Sequence, residues 1–168
     1  WHDDQQGTAL VTLAGLINAL KVVNKKISKV KIAMLGAGSA NICIARLIMF
    51  YGANPANIIM VDSKGTLNKK RKELKNSHPE KWAMCCDTNG SNVEGTIETA
   101  MENADVLICL STPGPNVIKK EWIKKMAKNP IVFTCANPVP EIWPWEAKEA
   151  GAAVVFAAQV SVQSVSGA

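Results

Sequence analysis

No stretch of this 168-residue sequence stays apolar long enough to cross a membrane as a helix, because charge interrupts every hydrophobic run. No basic-then-apolar signal segment opens it. Histidine is nearly absent, with only His2 and His78, so a His–carboxylate relay, a Ser–His–Asp triad or a zinc cluster finds no convincing set. Arginine is equally scarce: Arg46 and Arg71 stand against 17 lysines, and aromatics make up 5%. A nucleic-acid reader needs bidentate arginines or aromatics interleaved with its charges. The net charge of +5 is therefore read as solvated lysine faces over 21–31, 69–75 and 119–128, with no nucleic-acid partner and no membrane. Salt-dependent binding to DNA would revive the opposite reading. No Cys-x-x-Cys pair occurs. The five cysteines are odd in number, and Cys43, Cys109 and Cys135 lie in apolar runs. Buried thiols in a reducing, cytoplasmic setting fit better than a disulfide framework. The vicinal pair Cys85-Cys86 reads as two small apolar residues ahead of a redox switch.

What is present is a core. Apolar residues reach 48% and charged residues 20%, enough for one globular domain. Residues 8–23 form a largely apolar helix with Leu13, Leu16, Ile17 and Leu20 as its stripe and Thr8 as a candidate N-cap. From Val30 the pattern changes to short apolar runs at 30–35, 57–61, 105–110, 131–136 and 152–158. They alternate with helices at 39–51, 68–76, 96–103, 119–128 and 145–150. Alternation of this kind implies parallel strands joined by right-handed crossovers. The runs are continuously apolar, as strands covered on both faces are. The fold class is α/β: a doubly wound, mostly parallel, Rossmann-type sheet with an extra N-terminal helix. A single domain over 1–168 divides into an opening loop and helix (1–29), the core (30–158) and an irregular tail (159–168).

In such a sheet the ligand lies at the carboxyl ends of the strands. Those ends carry Gly36-Ala37-Gly38-Ser39-Ala40-Asn41, Asp62, Ser111 to Pro115 and Asn137-Pro138. The glycine loop follows a strand and opens a helix. Gly36 permits the tight turn, and Gly38 leaves room for a pyrophosphate to reach backbone N–H groups. Asn41 replaces the usual third glycine, so the helix is expected slightly further from the sheet. Asp62 ends the second strand, where a carboxylate accepts from the adenosine ribose and repels a 2′-phosphate. That favours NAD over NADP, although Ser63 and Lys64 follow and can hold a phosphate. The alternative for Asp62 is a solvated loop acid. The string His2-Asp3-Asp4-Gln5-Gln6-Gly7-Thr8 offers two carboxylates to a divalent cation or a proton network, or simply an acidic helix start. Asn137 is either a carboxamide for a substrate carboxylate and a ribose, or a turn residue.

Taken together these strings resemble the NAD(P)-binding domain of malic enzymes, especially the smaller bacterial and archaeal type. The resemblance rests on His2 to Ala9, Gly36 to Ala40, Val61 to Gly65, Ser111 to Gly114 and Ala136 to Ile142, in the family's order over residues 1 to about 155. It implies oxidation of malate by hydride transfer to NAD or NADP, then decarboxylation to pyruvate and CO2 with Mg2+ or Mn2+. It also implies that Asp4 is a metal ligand and that Asp3 is a catalytic acid beside a lysine. Asn137 would be a substrate contact, and Thr8, Gly36, Ala37, Gly38, Ser39, Ala40, Asp62 and Asn137 cofactor contacts. The family's general-base lysine, general-acid tyrosine and other metal acids match nothing in this chain. The sequence, which starts at Trp1, is thus expected to be the cofactor part of a longer, homodimeric enzyme and inactive alone. Residues 156–168 do not match the family's pattern. The rival readings are the cofactor domain of another NAD-dependent dehydrogenase and a non-catalytic nucleotide-binding module.

Overall fold

Four-residue apolar runs at Ile32–Leu35 (β1), Val106–Cys109 (β4) and Ile131–Thr134 (β5) form the middle of the sheet. A computed structural model of the chain describes residues 3–114 and 116–157, with Asp4 described by its backbone alone. Around those strands lie β2 (Ile58–Asp62), β3 (Gly65–Thr66) and β6 (Val154–Ala157), in the order β3-β2-β1-β4-β5-β6. All neighbours are parallel except β3, a two-residue strand that turns back antiparallel on Val61 and Asp62. The doubly wound sheet expected from the alternating pattern is present. The edge strand β3 leaves no mark in the sequence, because two residues in a polar segment carry no periodicity.

The side-chain period of two divides the strands between two cores. Ile32, Met34, Ile58, Met60, Ile108 and Phe133 face one way, against α1 (Thr8–Val22) and α2 (Ser39–Phe50). Ala33, Ile59, Leu107, Cys109 and Val132 face the other way, against α5 (Ile97–Met101), α6 (Lys120–Lys124) and α7 (Pro144–Glu149). Helices therefore cover both faces, which is why the strands lack polar alternation. On α1 the buried stripe is Ala9, Thr12, Leu16, Ala19 and Leu20, with Leu13 and Ile17 half-buried at its margin.

Several local expectations change. Asp3–Gly7 is itself a wide helical turn that runs straight into α1. The residue before α1 is Gly7 in helical conformation, so Thr8 is not an N-cap. The basic helix read at 68–76 is instead a series of turns followed by α3 (Leu74–Ser77) and α4 (Pro79–Asp87). Its geometry is set by side-chain amides: Asn68 donates to Thr66 O, and Asn89 donates to Leu67 O and Val93 O, both from buried positions. The helix read over 119–128 is only Lys120–Lys124. The lysines expected to form solvated faces are mostly exposed, and some of them pair across the surface, as Lys70 with Glu94 and Lys120 with Glu149.

Phe133 links the sheet to α1. It is fully buried, its ring lies 5.1 Å from that of Phe156, and Gly15 leaves the space for it: a Cβ there would stand 3.1 Å from the ring. Phe133→Ala is expected to cost about 3–5 kcal/mol of stability in urea unfolding. A loss under about 1 kcal/mol would mean that α1 does not seal this face.

Candidate functional site

The carboxyl ends of β1, β2, β4 and β5 open on one edge, with the switch point of the sheet between β1 and β4. At that seam Gly36 has φ +100°, and a Cβ there would come within 2.1 Å of the Leu110 carbonyl oxygen. No side chain fits. Gly36 N–H donates to Val61 O at 2.9 Å, and Leu110 N–H donates to Leu35 O at 3.0 Å, so the loop is drawn onto its neighbours on both sides. Gly38 differs: nothing lies within 4 Å of a Cβ placed there. It precedes α2, whose first turn has no side-chain cap and no acidic residue, leaving backbone N–H groups and the positive helix end open. Ser39 is exposed, while Ala37 is buried beneath the loop. A cleft of about 620 Å³ lies here, lined among others by Gln5, Gly38, Ser39, Arg46, His78 and Lys81.

Asn41, at the position of the usual third glycine, turns its side chain inward. It is 1% exposed, and its Nδ2 donates to Leu35 O at 2.9 Å and to Gly36 O at 2.8 Å. The carboxamide braces the loop from beneath, a role that bare glycine spacing does not reveal.

Asp62 lies at the end of β2 beside a second depression of about 490 Å³. It is not a free acceptor. Its carboxylate takes hydrogen bonds from Lys64 N–H at 2.9 Å and from Arg71 Nη1 and Nη2 at 3.1 and 3.3 Å, with Lys81 Nζ at 3.5 Å. Burial pushes the carboxyl up. The Arg71 hydrogen bond, the Lys64 amide and the two cationic charges outweigh burial and bring it below the usual range. The same contact, with Glu73 as a second partner, raises Arg71. Asp62 therefore does not stand alone at this end: Lys64, Arg71 and Lys81 share it with Asp62 and Glu73. Arg71, one of only two arginines, was the available signal.

A third depression, of about 400 Å³, brings together Asp3, Thr8, Thr12, Cys135 and Asn137. Residues far apart in sequence thus meet at one end of the edge, while Asp62 stands at the other. Asp3 is exposed, and its Oδ1 would lie 2.2 Å from a Cβ on Gly7, so glycine four residues on lets the carboxylate fold over its own turn. Asn137 is exposed after β5, and its peptide bond to Pro138 is cis. The Asp4 side chain lies outside what the structure describes. Beneath the cleft, burial and the Glu141 charge push the Cys135 thiol up to about 12, and the same two causes, with Cys135, raise Cys109. Cys109 and Cys135 are buried as expected, whereas Cys43 is only half-buried, in the first cleft. Cys85 is buried and Cys86 exposed.

Glu141 enters the sequence reading only as part of the string Ala136 to Ile142, with no role of its own. It is 0% exposed; Oε1 accepts from Ser111 N–H at 3.0 Å and Oε2 from Ala136 N–H at 3.2 Å. Its being a single acid inside the apolar, proline-rich run Pro138 to Pro144 is the signal that could have singled it out.

With this geometry established, comparison with known proteins assigns the family. The family described as malic enzyme, NAD binding domain, matches residues 5–164. The chain belongs to the malic enzyme family, as its NAD-binding domain. The malic enzyme of Entamoeba histolytica superposes with a TM-score of 0.92 at 55% identity, over 96% of this chain and 33% of that one. That of Pyrococcus horikoshii gives 0.90 at 47%, over 95% and 37%. The bifunctional malic/malolactic enzyme of Bacillus subtilis is 44% identical over 155 residues, 92% of this chain and 36% of that one. The chain thus spans about a third of the length of these malic enzymes. D-2-hydroxyisocaproate dehydrogenase, at 16% identity and a TM-score of 0.59, shares the fold alone. The match through residue 164 corrects the expectation that the malic enzyme pattern stops near 155. Residues 158–168, including the expected tail, lie outside the described residues. Among the described residues no helix is long and apolar enough to cross a membrane.

Asp62 gives a pH-dependent prediction. A carboxyl lowered by folding stabilises the fold above its unfolded pKa, near 3.8, and that stabilisation fades as pH falls through the lower folded value. Asp62→Asn is expected to cost about 1–3 kcal/mol at pH 7, because it leaves Arg71 poorly paired. The gap to the unaltered chain should narrow below about pH 3 in urea unfolding. A gap that does not change with pH would remove the ion pair from the account.

Proposed function

We propose that this chain holds the dinucleotide of a malic enzyme that oxidises malate with NADP and decarboxylates the product to pyruvate and CO2. The observation that carries the proposal is the pairing of two glycines. Gly36 is forced by the Leu110 carbonyl, and Gly38 stands over open space at an uncapped helix start. Bound there, the cofactor would supply a hydride acceptor. The backbone of Gly36 to Ala40 would hold its pyrophosphate, as helix starts hold anions.

The adenosine end falls at Asp62, Arg71 and Lys81. Lys64, Arg71 and Lys81 stand against Asp62 and Glu73, three cations to two carboxylates, and the small positive balance suits a 2′-phosphate better than a bare ribose. The family does not decide the matter by name, since its members include an NADP-dependent enzyme of Halomonas elongata at 41% identity and an NAD-dependent one of Geobacillus stearothermophilus at 42%. At the other end Asn137 would donate to a substrate carboxylate. Thr8 lines the same space, and Asp3 would orient a proton-transfer group supplied from outside residues 1–168.

The described residues do not hold a metal by themselves. No three His, Cys, Asp or Glu side chains converge among them, and a hard cation takes about six oxygens. Mg2+ or Mn2+ would need carboxylates from outside the described residues, with Asp4 as one contributor. On this reading malate turnover by the chain alone is below detection, and activity belongs to a longer, homodimeric, cytoplasmic enzyme.

Calorimetry with NADPH and NADH tests the proposal. The unaltered chain should bind NADPH more tightly. Gly38→Val should weaken binding by about a hundredfold or more by filling the pyrophosphate space, while the melting curve changes little because its Cβ meets nothing. Equal affinity in Gly38→Val would overturn the nucleotide loop, and tighter NADH binding would overturn the charge argument.

A further inference from the structure

Glu141 joins two loops that come from different strands. Through Oε1 it holds the Ser111 N–H at the end of β4, and through Oε2 the Ala136 N–H at the end of β5. Two backbone bonds extend the seam: Gly114 N–H donates to Val139 O at 3.3 Å and Ile118 N–H to the Glu141 carbonyl at 3.1 Å. None of the ion pairs among the described residues includes Glu141. A buried carboxylate without a cation is costly unless its oxygens are taken up by strong donors. Here each oxygen takes one backbone N–H. An apolar side chain in the same space would leave Ser111 and Ala136 N–H unpaired.

Position gives the clamp a role. A dinucleotide crossing the switch point with its adenosine at β2 carries its other half over the ends of β4 and β5. Those ends are the two segments Glu141 ties together, and Asn137 follows Ala136 directly. Resting on the cofactor reading above, we propose that Glu141 is a positioning residue for the nicotinamide half of the cofactor. It acts through the Ser111 and Ala136 amides, fixing the Ser111–Gly114 loop and Asn137 relative to each other.

The clamp needs two acceptors. In Glu141→Gln the amide keeps shape and volume but turns one acceptor into a donor that faces a backbone N–H. One of the two loops is then released. The adenosine end, on the other side of the switch point, is untouched.

The test compares two ligands on the whole chain by calorimetry: NADPH, and 2′-phospho-ADP-ribose, which lacks nicotinamide. Affinity for the second reports on the cofactor reading, and the ratio of the two reports on Glu141. Glu141→Gln should weaken NADPH about tenfold and leave 2′-phospho-ADP-ribose within about twofold. An equal loss for both, or no loss for either, would overturn the proposal. Hydrogen exchange in the unaltered chain adds a measure that does not depend on the variant folding. Ser111 and Ala136 N–H should exchange as slowly as amides inside β4 and β5. Exchange at the rate of an open loop would show that the clamp does not hold.

Discussion

The loop after β1 passes so close to the end of β4 that no Cβ fits between them. Gly36 would place one 2.1 Å from the Leu110 carbonyl oxygen. Everything at the ligand edge follows from that approach. It brings the start of α2 over the switch point, sets Gly38 facing open space, and leaves the ends of β2 and β5 on opposite sides of one crevice. Asn41 keeps the approach tight by binding the Leu35 and Gly36 carbonyls from below. The usual third glycine is thus replaced by a side chain that performs the packing itself.

The two sides of the crevice differ in electrostatics. At β2 the carboxylates of Asp62 and Glu73 stand among Lys64, Arg71 and Lys81, which leaves that end a small positive balance. At β4 and β5 the buried charge is negative and is spent on backbone amides rather than offered to the cleft. Two thiols next to it are kept protonated by burial and by that same charge. A dinucleotide laid across this edge meets cations at one end, helix N–H groups in the middle and a rigid pair of loops at the other.

The strands of the central sheet were legible because a strand covered on both faces has to be apolar throughout, as Ile131 to Phe133 are. The glycine loop was legible for the same kind of reason, since lack of a side chain is itself the signal. The segment from Lys64 to Thr96 was not, because Asn68 and Asn89 organise it through amide bonds to residues up to 22 positions away, with no periodic pattern. Asp62 is legible as a strand-end acid because that position is local, whereas its partners Arg71 and Lys81 arrive from turns and a helix that carry no pattern pointing to it. Glu141 lies 30 residues from Ser111, and no spacing announces that contact. Asp3 and Asn137 stand out by residue type and position and Thr8 as a cofactor contact by family likeness, but only the fold shows that they share one cleft.

The central claim is that one dinucleotide spans the whole edge, from Asp62 to Asn137, over the uncapped start of α2. Amide shift mapping of the isotopically labelled chain during titration with NADPH tests it most directly. The account predicts concerted shifts at Gly36 to Ala40, at Asp62 with Arg71, and at Ser111 and Asn137, all with one dissociation constant. Shifts confined to one end of the edge, or clustered on α6 and α7 away from it, would contradict it.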